Sequence, residues 1–474
     1  MAAEGAVPAD SLETLFPLRL APMEHFLLLD DRPECPLTPF VELHFTSQLD
    51  RDAFNQSLAV SIRRHPLLAS RVVWKDGFPH WQFDASFQPS LVDVASHTVL
   101  TTSDEQRWCI RPFDLEHETG SRFWYETLDA GGKCRVIVQV HHAVCDGVGI
   151  RQFLIDVLFE YDRRTGEPAK QTSPSPRRER VAEPKRLEQR ADFTRIEQTP
   201  ANVKLRWWQK LRNAYYFYLQ PPQALARPHA DDACEGDLPN EPLCHHFFDA
   251  PTSELTLEKC RLNGVRLNDV ALSALFLTCR WWNERCGITR RGTRIRLLMP
   301  TDLRERRDLR LPAANRLSFS FLGRTHHQLG GGLTQVLETI RAETQQIKDT
   351  RVYMDFLKGL RSVSKYPQRF RRAVDGNRNM ATAVMTYAGD LARGLTESLP
   401  KNDGRLVVGD TEIERVVGAP PARENTNLTF GVYRNWGRIG LSVSWSRKEL
   451  SRADARVFLE QFASELKRWG ESGS

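Results

Sequence analysis

The sequence predicts a mixed α/β protein of two lobes, and three observations carry that expectation. The chain has 474 residues, about three times an ordinary domain, which is room for two cores. Both halves mix period-two and period-3.6 apolar patterns, so strands and helices share each half (α/β, or α+β with mixed sheets). Between them lies RRTGEPAKQTSPSPRRERVAEPKRLEQRADFTR, with four prolines and ten Lys/Arg against five Asp/Glu. That stretch lacks large apolar residues over most of its length and reads as a solvated linker. The expected organisation is an N-terminal lobe over 1–163, a linker over 164–201 and a C-terminal lobe over 202–474. Residues 168–190 are expected to be dispensable for folding.

In the first half, Val41, Leu43 and Phe45 alternate with polar residues, which predicts a half-buried strand. Asp50 is placed to cap a helix whose inner face is Phe54, Leu58 and Ile62, and Pro66 ends it. Residues 122–128 and 134–141 read as a hairpin around DAGGK. After Gly149, Ile150, Phe153, Leu154, Val157, Leu158 and Tyr161 mark a helix by their spacing. In the second half, helices are expected at 254–263, 267–285 and 333–348, and strands at 294–299, 316–322 and 438–445. A last helix begins at Ser451 with Ala455, Phe458, Leu459, Phe462 and Leu466 on one face. The segment LRWWQKLRNAYYFYLQPP mixes Trp and Tyr with Lys and Arg. It suits either a crossover packed between the lobes, the preferred reading, or a helix resting on a membrane surface.

Composition narrows the function. With 41% hydrophobic and 27% charged residues, the chain is neither disordered nor membrane-embedded as a whole. Its N-terminus is acidic and lacks an apolar core, unlike a signal peptide. The nine cysteines form no C-x-x-C pair and no zinc spacing, so free thiols, no metal and a cytoplasmic setting are expected. The net charge of +6 comes without interleaved aromatics in the basic linker, which disfavours nucleic acid as a partner.

The residues that carry chemistry lie where the strand CRVIVQVHH runs into AVCDGVG. Val136, Val138, Val140 and His142 share parity, so His142 is expected to point with the apolar face and His141 away from it. Taken alone, His142 and Asp146 read as a core histidine and a helix-initiating aspartate. His245/His246 and His326/His327 are also adjacent pairs, but no Asp-Gly follows them.

HHAVCDG resembles the HHxxxDG motif of the acyltransferase superfamily with the chloramphenicol-acetyltransferase-like fold. That superfamily includes condensation domains and wax-ester synthase/diacylglycerol acyltransferases. Other segments resemble the family's in the same order: LAPMEHFLLLD (with Glu24 where Asp is usual), RRHPLLASRV, FDLEHETGSRFWYETL, GVRLNDVALSAL, and MPTDLRER followed by LPAANRLSFSFL. The similarity runs from about residue 15 to 470. Ala69 and Ala314 replace an Arg and a Gly, and VMTYAGD replaces a Ser-Asn-x-Gly turn.

The resemblance implies a two-lobed fold with an active-site tunnel between the lobes. It also implies acyl transfer from a thioester, on coenzyme A or a carrier protein, to a hydroxyl acceptor. His142 would be the general base without an acyl-enzyme, supported by His141, Asp146 and Gly147. Asp146 would orient the motif loop through an arginine that the sequence does not single out. Asn268 and Asn315 are candidate substrate-binding residues. No cofactor is implied beyond the thioester co-substrate. The alternatives are a free-standing condensation-type domain forming amides on carrier-bound substrates, and a non-catalytic carrier- or lipid-binding module. The cations Lys358, Arg361, Lys365, Arg369, Arg371 and Arg372 read as a solvated helix face.

Overall fold

The computed structural model describes residues 9–94, 111–166, 181–227, 243–376, 379–391, 399–402 and 405–472. The first half contains β1 (Leu18–Arg19), α1 (Pro22–Asp30), β2 (Phe40–Phe45), α2 (Arg51–Arg64), β3 (Ser70–Lys75), β4 (Phe78–Phe83), β5 (Val92–Asp93), β6 (Ser121–Thr127), β7 (Cys134–Val140) and α3 (Gly147–Thr165). Asp50 caps α2 by accepting from the Ala53 N–H at 3.0 Å, and the helix stops before Pro66. Strand β7 is buried on both faces. Val136, Val138 and Val140 join Phe54, Leu58 and Ile62 of α2 and Phe153, Val157 and Leu158 of α3 in one core. Ile137 packs on the opposite face with Phe40 and Trp124.

The second half contains α4 (Trp207–Tyr218), β8 (Cys244–Phe247), α5 (Ala250–Leu262), α6 (Leu267–Arg285), β9 (Arg294–Asp302), β10 (Leu317–Thr325), α7 (Gly332–Thr350), α8 (Tyr353–Val363), α9 (Pro367–Asp375), β11 (Ala383–Asp390), β12 (Lys401–Asn402), β13 (Arg405–Val408), β14 (Thr411–Ala419), β15 (Leu428–Asn435), β16 (Arg438–Trp445) and α10 (Arg452–Glu471). A six-stranded sheet, ordered β10-β9-β11-β15-β16-β8, buries one face beneath α6, α7 and α10, where Phe430 meets Phe458 and Phe462. The six basic residues of α8, α9 and their connection are all exposed, as the solvated-face reading expects.

The boundary expected at residue 202 does not separate the two lobes. A seven-stranded sheet runs β12-β13-β14-β2-β7-β6-β5, so the later part of the chain returns to the first lobe. β14 pairs antiparallel with β2, Val416 opposite Leu43, and Leu406, Val408 and Ile413 complete the first core. Local patterning identifies a strand but not its distant partner, and the division by sequence therefore fails here.

The linker expectation is also revised. α3 continues to Thr165, and 167–180 lies outside the described residues. Beyond it, Leu187, Phe193 and Ile196 enter the first core. Arg190 is buried against the fully buried Glu24. Its Nε donates to Oε1 at 2.7 Å and its Nη2 to Oε2 at 3.0 Å. The Trp81 indole and the Ala21 N–H fill the remaining acceptor capacity at 2.9 and 2.8 Å. Arg190→Ala is expected to cost about 3–5 kcal/mol, because it strands a buried carboxylate. Urea unfolding would read this, and a loss below about 1 kcal/mol would contradict it. A deletion reaching residue 190 should destabilise equally, contrary to the dispensability expected for 168–190.

The aromatic segment at 207–218 is likewise not a packed crossover. It forms α4 with Trp207, Leu211 and Tyr215 exposed.

Candidate active site

β7 ends at Val140, and the next residues turn, so strand parity does not extend to the two histidines. The outcome reverses the expectation: His141 is the buried one, edge-on to Phe113 of the core, and His142 is half-buried. His141 Nδ1 accepts from the Ala143 N–H at 3.0 Å. A nitrogen that accepts carries no proton, so the neutral ring bears its hydrogen on Nε2, 3.4 Å from Asp31 Oδ2. Asp31 Oδ1 also accepts from the Leu37 N–H at 2.6 Å, and the Leu37 carbonyl accepts from the His142 N–H at 2.8 Å. Asp31 thus steadies both histidines.

The His142 side chain has one hydrogen-bond partner among the described residues, the Cys145 carbonyl, 3.3 Å from Nδ1. A carbonyl only accepts, so the proton sits on Nδ1 and the Nε2 lone pair is left over. Burial lowers the His142 pKa below its ordinary value, outweighing the Asp146 carboxylate and the Cys145 carbonyl, which raise it. The ring is therefore neutral at pH 7. Cys145 is fully buried, and burial together with the Asp146 carboxylate pushes its thiol well above the ordinary range, which leaves it a poor nucleophile.

Asp146 performs three tasks from one buried position. Oδ1 caps α3 by accepting from the Gly149 N–H at 2.9 Å. Oδ2 accepts from Arg304 Nη1 at 2.9 Å and from the Arg316 N–H at 2.8 Å. Burial alone would raise its pKa, but Arg304 and the two backbone donors outweigh this and lower it. Arg304 is raised in turn by Asp146 and Asp302, against burial that would lower it. The arginine expected to pair with Asp146 is thus Arg304, in the connection between β9 and β10.

That connection belongs to the second lobe, and it grips the motif at several points. Asn315 Nδ2 donates to the carbonyls of His142 and Ala143, both at 2.8 Å. Outside the motif, the Ala313 N–H also donates to His65 Nδ1, at the end of α2, at 2.8 Å. Asn315, a candidate substrate residue, therefore supports the motif backbone. Asn268 opens α6, where its amide reaches Met299 Sδ at 3.6 Å, and among the described residues no hydrogen bond joins it to the motif. Its neighbour Asp269 ties α6 to α7 through Thr344 at 3.0 Å. Gly147 is exposed, and a Cβ there would meet open space. Gly149 is the glycine that packing requires, since a Cβ would lie 3.1 and 3.2 Å from the Ala314 backbone N and O.

Neither a family model nor a curated protein sequence matches this chain. Solved structures do. The first condensation domain of the calcium-dependent antibiotic synthetase, bound to a substrate analogue, superposes with a TM-score of 0.63 at 14% identity, over 96% of each chain. A variant of the starter condensation domain of rhizomide synthetase in complex with C8-CoA gives 0.60 at 13% identity, over 98% of this chain and 97% of that one. Polyketide synthase associated protein 5 from Mycobacterium tuberculosis gives 0.59 at 14% identity, over 96% and 98%. The chain has the condensation-domain fold.

That fold is the two-lobed, chloramphenicol-acetyltransferase-like architecture expected from the motif order. Within it, the motif follows the interior strand β7 of the seven-stranded sheet, and the β9–β10 connection reaches it from the second lobe. Sequence reasoning did not single out Asp31, Arg304 or Arg316. Arg304 lay within MPTDLRER, a segment already noted, so its arginine was the available signal. Arg316 likewise lay within the noted LPAANRLSFSFL, but it meets Asp146 through its backbone N–H, which residue type does not announce, and Asp31 lay just outside the noted segments.

Proposed function

We propose that this protein moves an acyl group from a thioester to a nucleophilic acceptor, with His142 as general base. The observation that carries this reading is the hydrogen-bonding state of His142: Nδ1–H engaged by a carbonyl, Nε2 left over, and the ring kept neutral by burial. Nε2 takes the proton of the acceptor hydroxyl or amine as its O or N attacks the thioester carbonyl. The tetrahedral intermediate collapses with cleavage of the C–S bond, and the imidazolium returns the proton to the departing thiolate. The products are an ester or amide and a free thiol. His141, Asp31 and Asn315 hold the loop in place. Asp146 fastens it to the second lobe and touches no reactant in this scheme.

The similarity of GVRLNDVALSAL to the wax-ester synthase branch favours a hydroxyl acceptor. The second reading, amide formation on carrier-bound substrates, draws on the condensation domains among the structural neighbours. The rhizomide synthetase domain was solved with C8-CoA, which supports an acyl thioester as donor. Neither scheme calls on a further cofactor or a metal.

Thiol release tests the proposal. The protein would be incubated with acyl-coenzyme A of several chain lengths and with pooled alcohols, diacylglycerol or amines. Acceptor-dependent release, absent from His142→Ala, is expected, and the responding pool names the acceptor class. Folded protein silent toward coenzyme A and carrier-bound donors alike would leave a binding module instead.

The pH profile follows from the lowered His142 pKa. Only the neutral ring has a lone pair, so the rate falls as pH drops through that pKa and is level above it. The acid limb of kcat/KM is expected below the ordinary histidine value of about 6.5. An inflection above pH 7 would contradict the assignment.

A further inference from the structure

α4 is anchored at both ends and bare along its outer side. Before its start, the Val203 N–H donates to the Asp349 carbonyl at 3.2 Å, and Asn202 Nδ2 to Asp349 Oδ1 at 3.0 Å. At its end, the Arg296 guanidinium donates to the carbonyls of Tyr216 and Gln220. Phe217 packs on Phe321 with ring centroids 4.8 Å apart. The Arg294 guanidinium lies 4.8 Å from the Tyr216 ring.

Outward, Trp207 is 74% exposed, Leu211 60%, Tyr215 50% and Leu219 69%. At about 100° per residue these positions and Trp208 form a single stripe, with the basic positions 210 and 212 on its two borders. Seven of the fifteen exposed large apolar residues described in the whole chain fall between Val203 and Leu219. Such a concentration marks an interaction surface rather than scattered exposure.

Charge decides what covers it. From Asn202 to Gln220 the sequence has four Lys/Arg and no Asp/Glu. A stripe of Trp, Tyr and Leu in a segment whose charged residues are all cations matches the boundary between anionic headgroups and acyl chains. Aromatic rings bridge polar and apolar layers there, and Lys and Arg meet phosphate. A helix of 12 residues is too short to cross a bilayer, which needs about 20, so it would lie flat. No helix among the described residues is long and apolar enough to span a membrane.

We propose that α4 is an interfacial helix that seats this protein on an anionic lipid surface. The inference rests on the exposed stripe and its charge, and it stands independently of acyl transfer.

Co-sedimentation of the full chain with vesicles of phosphatidylcholine, alone or mixed with phosphatidylserine, tests it. Wild-type protein is expected to sediment with the mixed vesicles and much less with phosphatidylcholine alone. Trp207→Ser/Leu211→Ser is expected to weaken that binding by about tenfold or more. Lys204→Glu/Arg206→Glu should weaken it as well and reduce its dependence on salt. Both variants change exposed residues, so melting curves and thiol release with water-soluble substrates should match wild type. Failure to bind the mixed vesicles, or equal binding by wild type and both variants, would overturn the proposal. A concentration-dependent dimer abolished by Trp207→Ser/Leu211→Ser, without vesicle binding, would assign the stripe to a second copy and overturn it too.

Discussion

Replacing His142 by alanine is expected to lower acyl transfer by about a hundred- to ten-thousandfold, the usual contribution of a positioned general base. The same change should move the melting temperature by only a few degrees. The side chain is half-buried and among the described residues makes a single hydrogen bond, at 3.3 Å, to the Cys145 carbonyl. The backbone contacts that hold residue 142, to the Leu37 carbonyl and from Asn315 Nδ2, do not involve the imidazole and survive the substitution. Single-turnover thiol release beside a thermal melt separates the two effects. A folded variant that keeps wild-type turnover would remove His142 from the chemistry. Cys145 offers no alternative route, since burial holds its thiol protonated.

Asp146→Ala should show a different signature, a large loss of stability together with a loss of rate. The carboxylate is buried and paired with Arg304, itself mostly buried, so its removal leaves a guanidinium whose remaining partners among the described residues are the exposed Asp302 and the Ala314 carbonyl. Breaking a buried pair by removing one partner costs about 3–5 kcal/mol. The loss of the α3 cap adds about 1 kcal/mol. Asp146→Asn keeps an oxygen for the cap while losing the charge, so it should cost less than alanine. The pH sign is fixed by the lowered folded-state pKa. The stabilisation is present above the unfolded carboxylate value of about 3.9 and disappears as pH falls through the lower folded value. Urea unfolding at pH 7 should therefore show the full difference between wild type and variant, narrowing only in strong acid. An unchanged midpoint for Asp146→Ala would show that the lobes do not depend on this contact.

Much of the fold was legible because most elements announce themselves locally. The helices at Asp50 and Ser451 begin within a residue of where capping and apolar spacing place them, and the one expected after Gly149 begins at Gly147, three residues before Ile150. The strands at β9, β10 and β16 cover the alternating segments. Local signals misled wherever they were extrapolated beyond an element. Strand parity was carried past Val140 into a turn, and so misplaced His141, which is buried beside Phe113. The Pro-rich, basic composition around residue 180 concealed that Leu187 and Arg190 are core residues. A buried arginine is unusual, and only its partner Glu24, 166 residues away in sequence, accounts for it. The aromatic content of α4 suggested burial, whereas Phe217 packs inward and Trp207, Leu211 and Tyr215 are exposed.

The sequence by itself determined the motif, its order among similar segments, the mixed α/β class, and the choice of His142 and Asp146 as the residues to watch. These follow from residue type and short spacing, which act within a few turns of chain. The tertiary structure alone decided that β14 completes the first sheet and that Arg304 is the partner of Asp146. It also decided that Asp31 faces His141 and, through Leu37, holds the His142 backbone, that Asn315 supports the motif backbone, and that one side of α4 is exposed. Each of these depends on groups far apart in sequence meeting at hydrogen-bonding or van der Waals distance. Such meetings are settled by the packing of whole lobes, because a buried charge or backbone group must find its partner wherever the fold brings one.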